Sequence, residues 1–115
     1  MNIRSTLALV ALLPLLACAT PPDDAAQAGL QAVAQLGRIN GQALACQDSG
    51  AARRAKALML AHAPKTARFG SAFDDATQQA FLAQTGGSPC PDAPTLAARL
   101  DTVAQQLQAA LPVAR

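Results

Sequence analysis

The sequence predicts a small all-α domain, a four-helix bundle-like unit with one disulfide, preceded by a cleaved signal peptide and a short tether. Three observations carry this. Apolar residues make up 51% of the 115 residues, which is too much for a disordered chain. Most of that fraction is Ala and Leu, while aromatics are 3%, all of them Phe, so the composition favours helices packed through small side chains. Apolar positions recur at three-four spacing in four segments, and no alternating strand pattern or internal repeat accompanies them.

The N-terminus comes first. Met1-Asn2-Ile3-Arg4 carries one positive charge, and Thr6 to Leu16 is an apolar run broken only by Pro14. The run is too short to cross a bilayer as a helix of about 20 residues, and it has the size of a signal-peptide core. It ends Leu15-Leu16-Ala17-Cys18. These residues resemble the lipobox of bacterial lipoproteins, in which an apolar residue stands three places before the cut, a small one just before it, and Cys follows. Leu16 is the less common choice at its place. The resemblance covers residues 1–18 only. It implies a signal peptide at 1–17, removed by the lipoprotein signal peptidase, with acyl chains (palmitate among them) on Cys18. Cys18 and a tether are then expected at 18–24, and the periodic segments place a helical domain at 25–115. Ala19 does not match the Asp that retains lipoproteins in the inner membrane of enteric bacteria, so the expected location is the outer membrane, facing the periplasm. Thr20-Pro21-Pro22-Asp23-Asp24 reads as a polar tether, its prolines opposing a helix.

With Cys18 assigned to lipid, Cys46 and Cys90 remain, in a compartment where disulfides persist. They are expected to pair. The closed loop, about 45 residues, corresponds to roughly 4 kcal/mol of chain entropy removed from the unfolded state. The alternatives are two free thiols or a metal site with His62, which lacks a fourth ligand and the usual spacing.

The first helix is expected from about Ala25 to Ala45. Leu30, Val33, Gly37, Asn40 and Leu44 form one face, widened by Leu36 and Ile39. Gly37 and Gly41 share a side and point to close approach of another backbone, or else to a break near Asn40. Gln47-Asp48-Ser49-Gly50 is a turn in which Asp48 or Ser49 caps the next helix. That helix runs from about Ala51 to His62, with Ala55, Leu58, Met59 and His62 inward, and ends before Pro64.

Thr66 or Ser71 starts the third helix, and Gly86-Gly87 stops it. Phe69, Phe73, Ala76 and Ala80 repeat at helical spacing with Phe81 beside them. Because it holds all three phenylalanines, this segment is expected to be the central packing element. In the fourth helix Asp92 is the cap and Pro94 sits in the first turn. Leu96, Leu100, Val103, Leu107 and Leu111 make its apolar stripe, and Pro112 ends it. Asp101, Gln105, Gln106 and Gln108 cover its polar side.

Little in the chain suggests catalysis. It has one His and no Glu, Tyr or Trp. It has no phosphate-binding Gly-rich loop, haem-attachment motif or zincin motif. Asp74 and Asp75 are adjacent, so on a helix they diverge by about 100° and form no dyad; a structural role early in the third helix fits them better. Ser71 and Ser88 have no neighbouring His. No catalytic residue, metal or cofactor is expected. His62 reads as a capping residue. Arg53, Arg54, Lys56, Lys65 and Arg68 fall in a stretch without acids and are candidates for contact with an anionic surface, or simply a solvated face. Loss of Arg4 leaves the basic side chains one ahead of the seven acids, so nucleic acid is not an expected partner.

The function expected from these features is that of a membrane-anchored, non-catalytic lipoprotein that binds another envelope component. Pilotins of secretion systems are similar in size, anchor and helical character, without a shared residue motif. An exposed groove on the small-residue face of the first helix would support such docking. The alternatives are a periplasmic protein with an internal void for an apolar ligand, and a redox protein using Cys46 and Cys90.

Overall fold

The computed structural model describes residues 22–113. The expected signal peptide at 1–17, Cys18 and the residues up to Pro21 lie outside the described residues. Four helices follow in order: α1 Pro22–Ala45, α2 Ser49–His62, α3 Ala67–Thr85 and α4 Ala93–Ala110. There is no strand among the described residues.

Helix α1 begins at Pro22, so Pro22-Asp23-Asp24 is helical where a tether was expected. Proline opposes a helix interior, but in the first turn its missing N–H has no intrahelical partner to lose. At the other end α1 closes with two reverse hydrogen bonds, Asp48 N–H to the Ala43 carbonyl (2.8 Å) and Gln47 N–H to the Leu44 carbonyl (3.3 Å). These form a Schellman motif, and Gln47 takes the left-handed conformation (φ 59°) that Gly usually fills there. The chain then turns directly into α2, where Asp48 accepts from the Ala51 N–H at 3.0 Å.

Thr66, not Ser71, caps α3, its hydroxyl accepting from the Phe69 N–H. The earlier start leaves Asp74 and Asp75 two turns inside the helix, exposed, rather than in its first turn. Asp92 caps α4 through the Thr95 N–H at 2.9 Å, and Pro94 falls in the first turn as expected.

Contacts along the helices set their directions. Gly37 lies against Phe73 and Ala76, and Gly41 against Thr77, Ala80 and Phe81, so α1 and α3 run parallel. Arg99 bonds Gln42, and Leu111 packs on Gly29, so α4 runs antiparallel to α1. Arg54 meets Asp101 and His62 meets Leu111, so α2 runs parallel to α4. The result is an up-down-up-down arrangement.

Its hub is α1, which packs against all three other helices; α3 approaches α1 closely and stands away from α2 and α4. This corrects the expected central role of α3. The phenylalanines are not the cause of the layout. The glycines are: a Cβ at Gly37 would stand 2.5 Å from the Phe73 carbonyl oxygen and 2.9 Å from the Ala76 Cβ. A Cβ at Gly41 would overlap the Thr77 carbonyl oxygen. Without side chains at these two positions, one turn apart, the backbones of α1 and α3 meet directly, a spacing at which Cα–H groups face carbonyls. Helix α1 runs unbroken through Asn40, whose buried Nδ2 donates to Thr77 Oγ1 at 3.2 Å in the same seam.

The core joins Val33, Leu36, Ile39 and Ala43 of α1 to Ala51 and Ala55 of α2, Phe69 and Phe73 of α3, and Leu96, Leu100, Val103 and Leu107 of α4. Leu58, Met59 and Leu111 pack on its edge. Leu44, expected on the inner face of α1, is 49% exposed. It lies in the last turn of α1, where Ala43 beside it takes the core position, so periodicity alone does not bury it.

Candidate functional site

Cys46 and Cys90 are joined by a disulfide, with Cα atoms 5.7 Å apart. Cys46 follows α1 and Cys90 lies between α3 and α4, so the bridge fastens the α3–α4 connection to the end of α1. Gln84 secures the same connection from the other side. Its buried amide donates to the carbonyls of Ser88 (2.7 Å) and Pro89 (3.0 Å), those of the two successive peptide bonds that lead to Cys90. The sequence alone hides this lock, because Gln84 resembles any polar residue on a helix. With its two partners set in opposite helical connections and its carbonyl scaffold fixed, the bridge reads as structural.

The five basic residues do not act together. Arg54 turns onto α4, where its Nη2 meets Asp101 Oδ1 at 2.5 Å and its Nη1 reaches the Ala97 carbonyl. It serves as a tie between α2 and α4. Arg53, Lys56, Lys65 and Arg68 are exposed, on the outer side of α2 and at the corner where α2 passes into α3. Arg54–Asp101 is the one ion pair among the described residues.

His62 is half-buried at the end of α2, its Nδ1 2.7 Å from the Leu111 carbonyl. A carbonyl only accepts, so the hydrogen sits on Nδ1. This bond closes the C-terminal ends of α2 and α4 against each other and is a tertiary cap, as the inward placement of His62 implies.

The cleft between α1 and α4 escaped sequence reasoning. It holds about 360 Å³ and is lined by Gln35, Arg38, Ile39, Gln42, Arg99, Thr102 and Val103. Its polar groups lie on two helices some sixty positions apart in sequence, and no local pattern joins them. Arg99 is already bonded to Gln42 at 3.1 Å across the cleft. This and the neighbouring clefts open to solvent, whereas the ligand-binding alternative calls for an enclosed void. The small-residue face of α1 is no groove either, because α3 fills it.

Among the described residues, no three His, Cys, Asp or Glu side chains converge to hold a metal ion. Asp92 has its carboxyl held below the usual carboxylate range, first by the Thr95 side chain and then by the Thr95 N–H. That is the signature of a helix cap and involves no second acid or base. Among the described residues no helix is long and apolar enough to cross a membrane. The chain matches no protein-family model, no curated protein and no solved structure.

At the disulfide end Phe81 and Leu82 of α3 and Leu44 of α1 remain exposed, Leu82 by 60%. At the opposite end Leu60 is 66% exposed on α2. The bundle therefore shows apolar side chains at both ends, and the exposed Lys56, Lys65 and Arg68 lie towards the Leu60 end.

Proposed function

We propose that this chain is a lipid-anchored, non-catalytic helical module of a bacterial envelope, facing the periplasm from the outer membrane and binding another envelope component there. The observation that carries the proposal is the apolar run ending in Leu15-Leu16-Ala17-Cys18, with Ala19 after it. Two or three acyl chains on Cys18 would give stable anchoring, each buried methylene contributing about 0.8 kcal/mol. The Cys46–Cys90 disulfide supports an oxidising compartment.

The non-catalytic part of the reading draws on how polar groups are used. Asp48, Thr66 and Asp92 cap helices, Asn40, Arg54, His62 and Arg99 tie helices together, and Gln84 holds a loop. The exposed trio Leu44, Phe81 and Leu82 supports a binding role, since it sits at the end of the bundle away from the anchor.

The test is incorporation of an alkyne-tagged palmitate analogue into full-length protein in living bacteria, followed by separation of inner and outer membranes. Label is expected on the wild type, in the outer-membrane fraction, and none on Cys18→Ser. Label-free wild type would end the lipoprotein reading. Crosslinked pull-down from the same membranes, beside Cys18→Ser, then tests the binding role. Recovery of one envelope protein with the lipidated form alone is the expected result.

A further inference from the structure

We infer that the outer side of α2 and the α2–α3 corner rest on the anionic phospholipid surface of the membrane that holds the protein. The inference rests on the proposed anchor at Cys18 and adds to it an orientation and a contact surface.

The length of chain before α1 decides which end of the bundle is near the membrane. Cys18 and Pro22 are four residues apart, at most about 14 Å of chain. Gly29, where Leu111 packs, is two helical turns further, about 10 Å. Leu111 in turn receives His62, so the Gly29 level is also the level at which α2 ends and α3 begins. Along the axis of α1, the α2–α3 corner is thus within about 25 Å of the lipidated residue. The disulfide end, after Ala45, lies about 24 Å further along α1.

The surface that runs from the near end up the outer side of α2 has the chemistry of a lipid contact. Arg53, Lys56 and Leu60 follow one another at three- and four-residue spacing on one stripe of α2, and all three are exposed. Lys65 in the corner and Arg68 at the start of α3 continue it. No acid lies between Asp48 and Asp74 in the sequence, and none of these four cations has an ion pair among the described residues. Asp101 removes Arg54 from the set by drawing it onto α4. Opposing charge comes from Asp24 in the first turn of α1, where the positive end of that helix offsets it. At the far end the helix caps Asp48 and Asp92 are acidic, which disfavours the inverted orientation. Cations that surround one exposed leucine match anionic headgroups above an acyl layer, and Lys and Arg stems can lie along that boundary.

The chain has no Trp, so one introduced Trp reports on its own surroundings. Leu60→Trp and, as the far-end control, Leu82→Trp are made in the lipidated full-length protein, both at exposed positions. Each is mixed with vesicles that carry brominated phosphatidylcholine as quencher, either with phosphatidylglycerol or in phosphatidylcholine alone. Flotation first reports anchoring. On floated protein, the Leu60→Trp emission is expected to shift to the blue and be quenched on phosphatidylglycerol vesicles, while Leu82→Trp is unaffected. Lys56→Gln with Lys65→Gln and Arg68→Gln, all exposed, is expected to lower the docking constant about five-fold per cation removed. Floated protein with an unquenched Leu60→Trp, or equal quenching at both positions or on both vesicle types, overturns the orientation and leaves the anchor standing. Protein that fails to float removes the anchor, and the docking with it.

Discussion

Gly41 of α1 lies directly on the carbonyl oxygen of Thr77 in α3, and no side chain of any size fits between them. Gly37 stands in the same relation to Phe73 one turn earlier. Gly70 of α3 is also inside a helix, yet a Cβ there would meet nothing. The same substitution therefore has opposite signs at two positions. Gly41→Ala is expected to destabilise by about 1–3 kcal/mol, because forced separation of two backbones outweighs the gain of roughly 1 kcal/mol in helix propensity. Gly70→Ala is expected to stabilise by up to about 1 kcal/mol. Urea unfolding followed by circular dichroism measures both.

Leu36 is fully buried and Leu44, two turns later, is half in water. Leu36→Ala should cost about 2–5 kcal/mol from lost burial and the cavity left behind. Leu44→Ala should change stability by no more than about 0.5 kcal/mol. Equal losses in denaturant titrations would mean that the end of α1 is covered.

Cys46 and Cys90 should resist alkylation until a reductant is added, with mass spectrometry of the intact protein as the readout. The double variant Cys46→Ser with Cys90→Ser should lose up to about 4 kcal/mol, the entropy of closing this loop in the unfolded chain. For a domain this small that is a large share of the total.

Gln47 holds a left-handed conformation at the turn after α1. A residue with a Cβ is strained there by about 1 kcal/mol, and Gly is not. Gln47→Gly should raise the melting temperature, corresponding to a gain of about 0.5–1 kcal/mol.

The lowered pKa of Asp92 has a definite sign in stability. Its folded value lies below its unfolded one, so the contribution is present above the ordinary carboxylate range. It is lost as pH falls through the folded value, when the proton competes with Thr95 for the carboxylate. Asp92→Asn should therefore flatten the acid side of the stability profile, and Asp92→Ala should in addition weaken α4 at neutral pH. Urea midpoints across the acid range give the comparison.

Much of this architecture was legible in residues close together in sequence. Asp48, Thr66 and Asp92 announce helix starts because a cap acts within three residues. The stripe Leu96–Leu100–Val103–Leu107 announces a buried face because one helix carries the whole pattern. The pairing of Cys46 with Cys90 followed from counting. Other features were not legible, for equally physical reasons. Pro22 reads in the sequence as a helix breaker, and only its place at the first helical position makes it a helix starter. Leu44 continues the spacing of a buried face and is nevertheless half exposed, with Ala43 beside it taking the core position. The basic run looked like one cluster until Asp101 drew Arg54 away.

The sequence by itself determined four helices, the Asp92 cap, most of the core and the disulfide, since each depends on short-range chemistry or on composition. Only the tertiary structure decided that α1, not the phenylalanine-bearing α3, is the hub. Gly37 and Gly41 permit close approach but do not say of what. That choice belongs to Phe73, Ala76, Thr77 and Ala80, whose carbonyls and small side chains fit the space a Cβ would have taken, and such a fit exists only once both helices are in place.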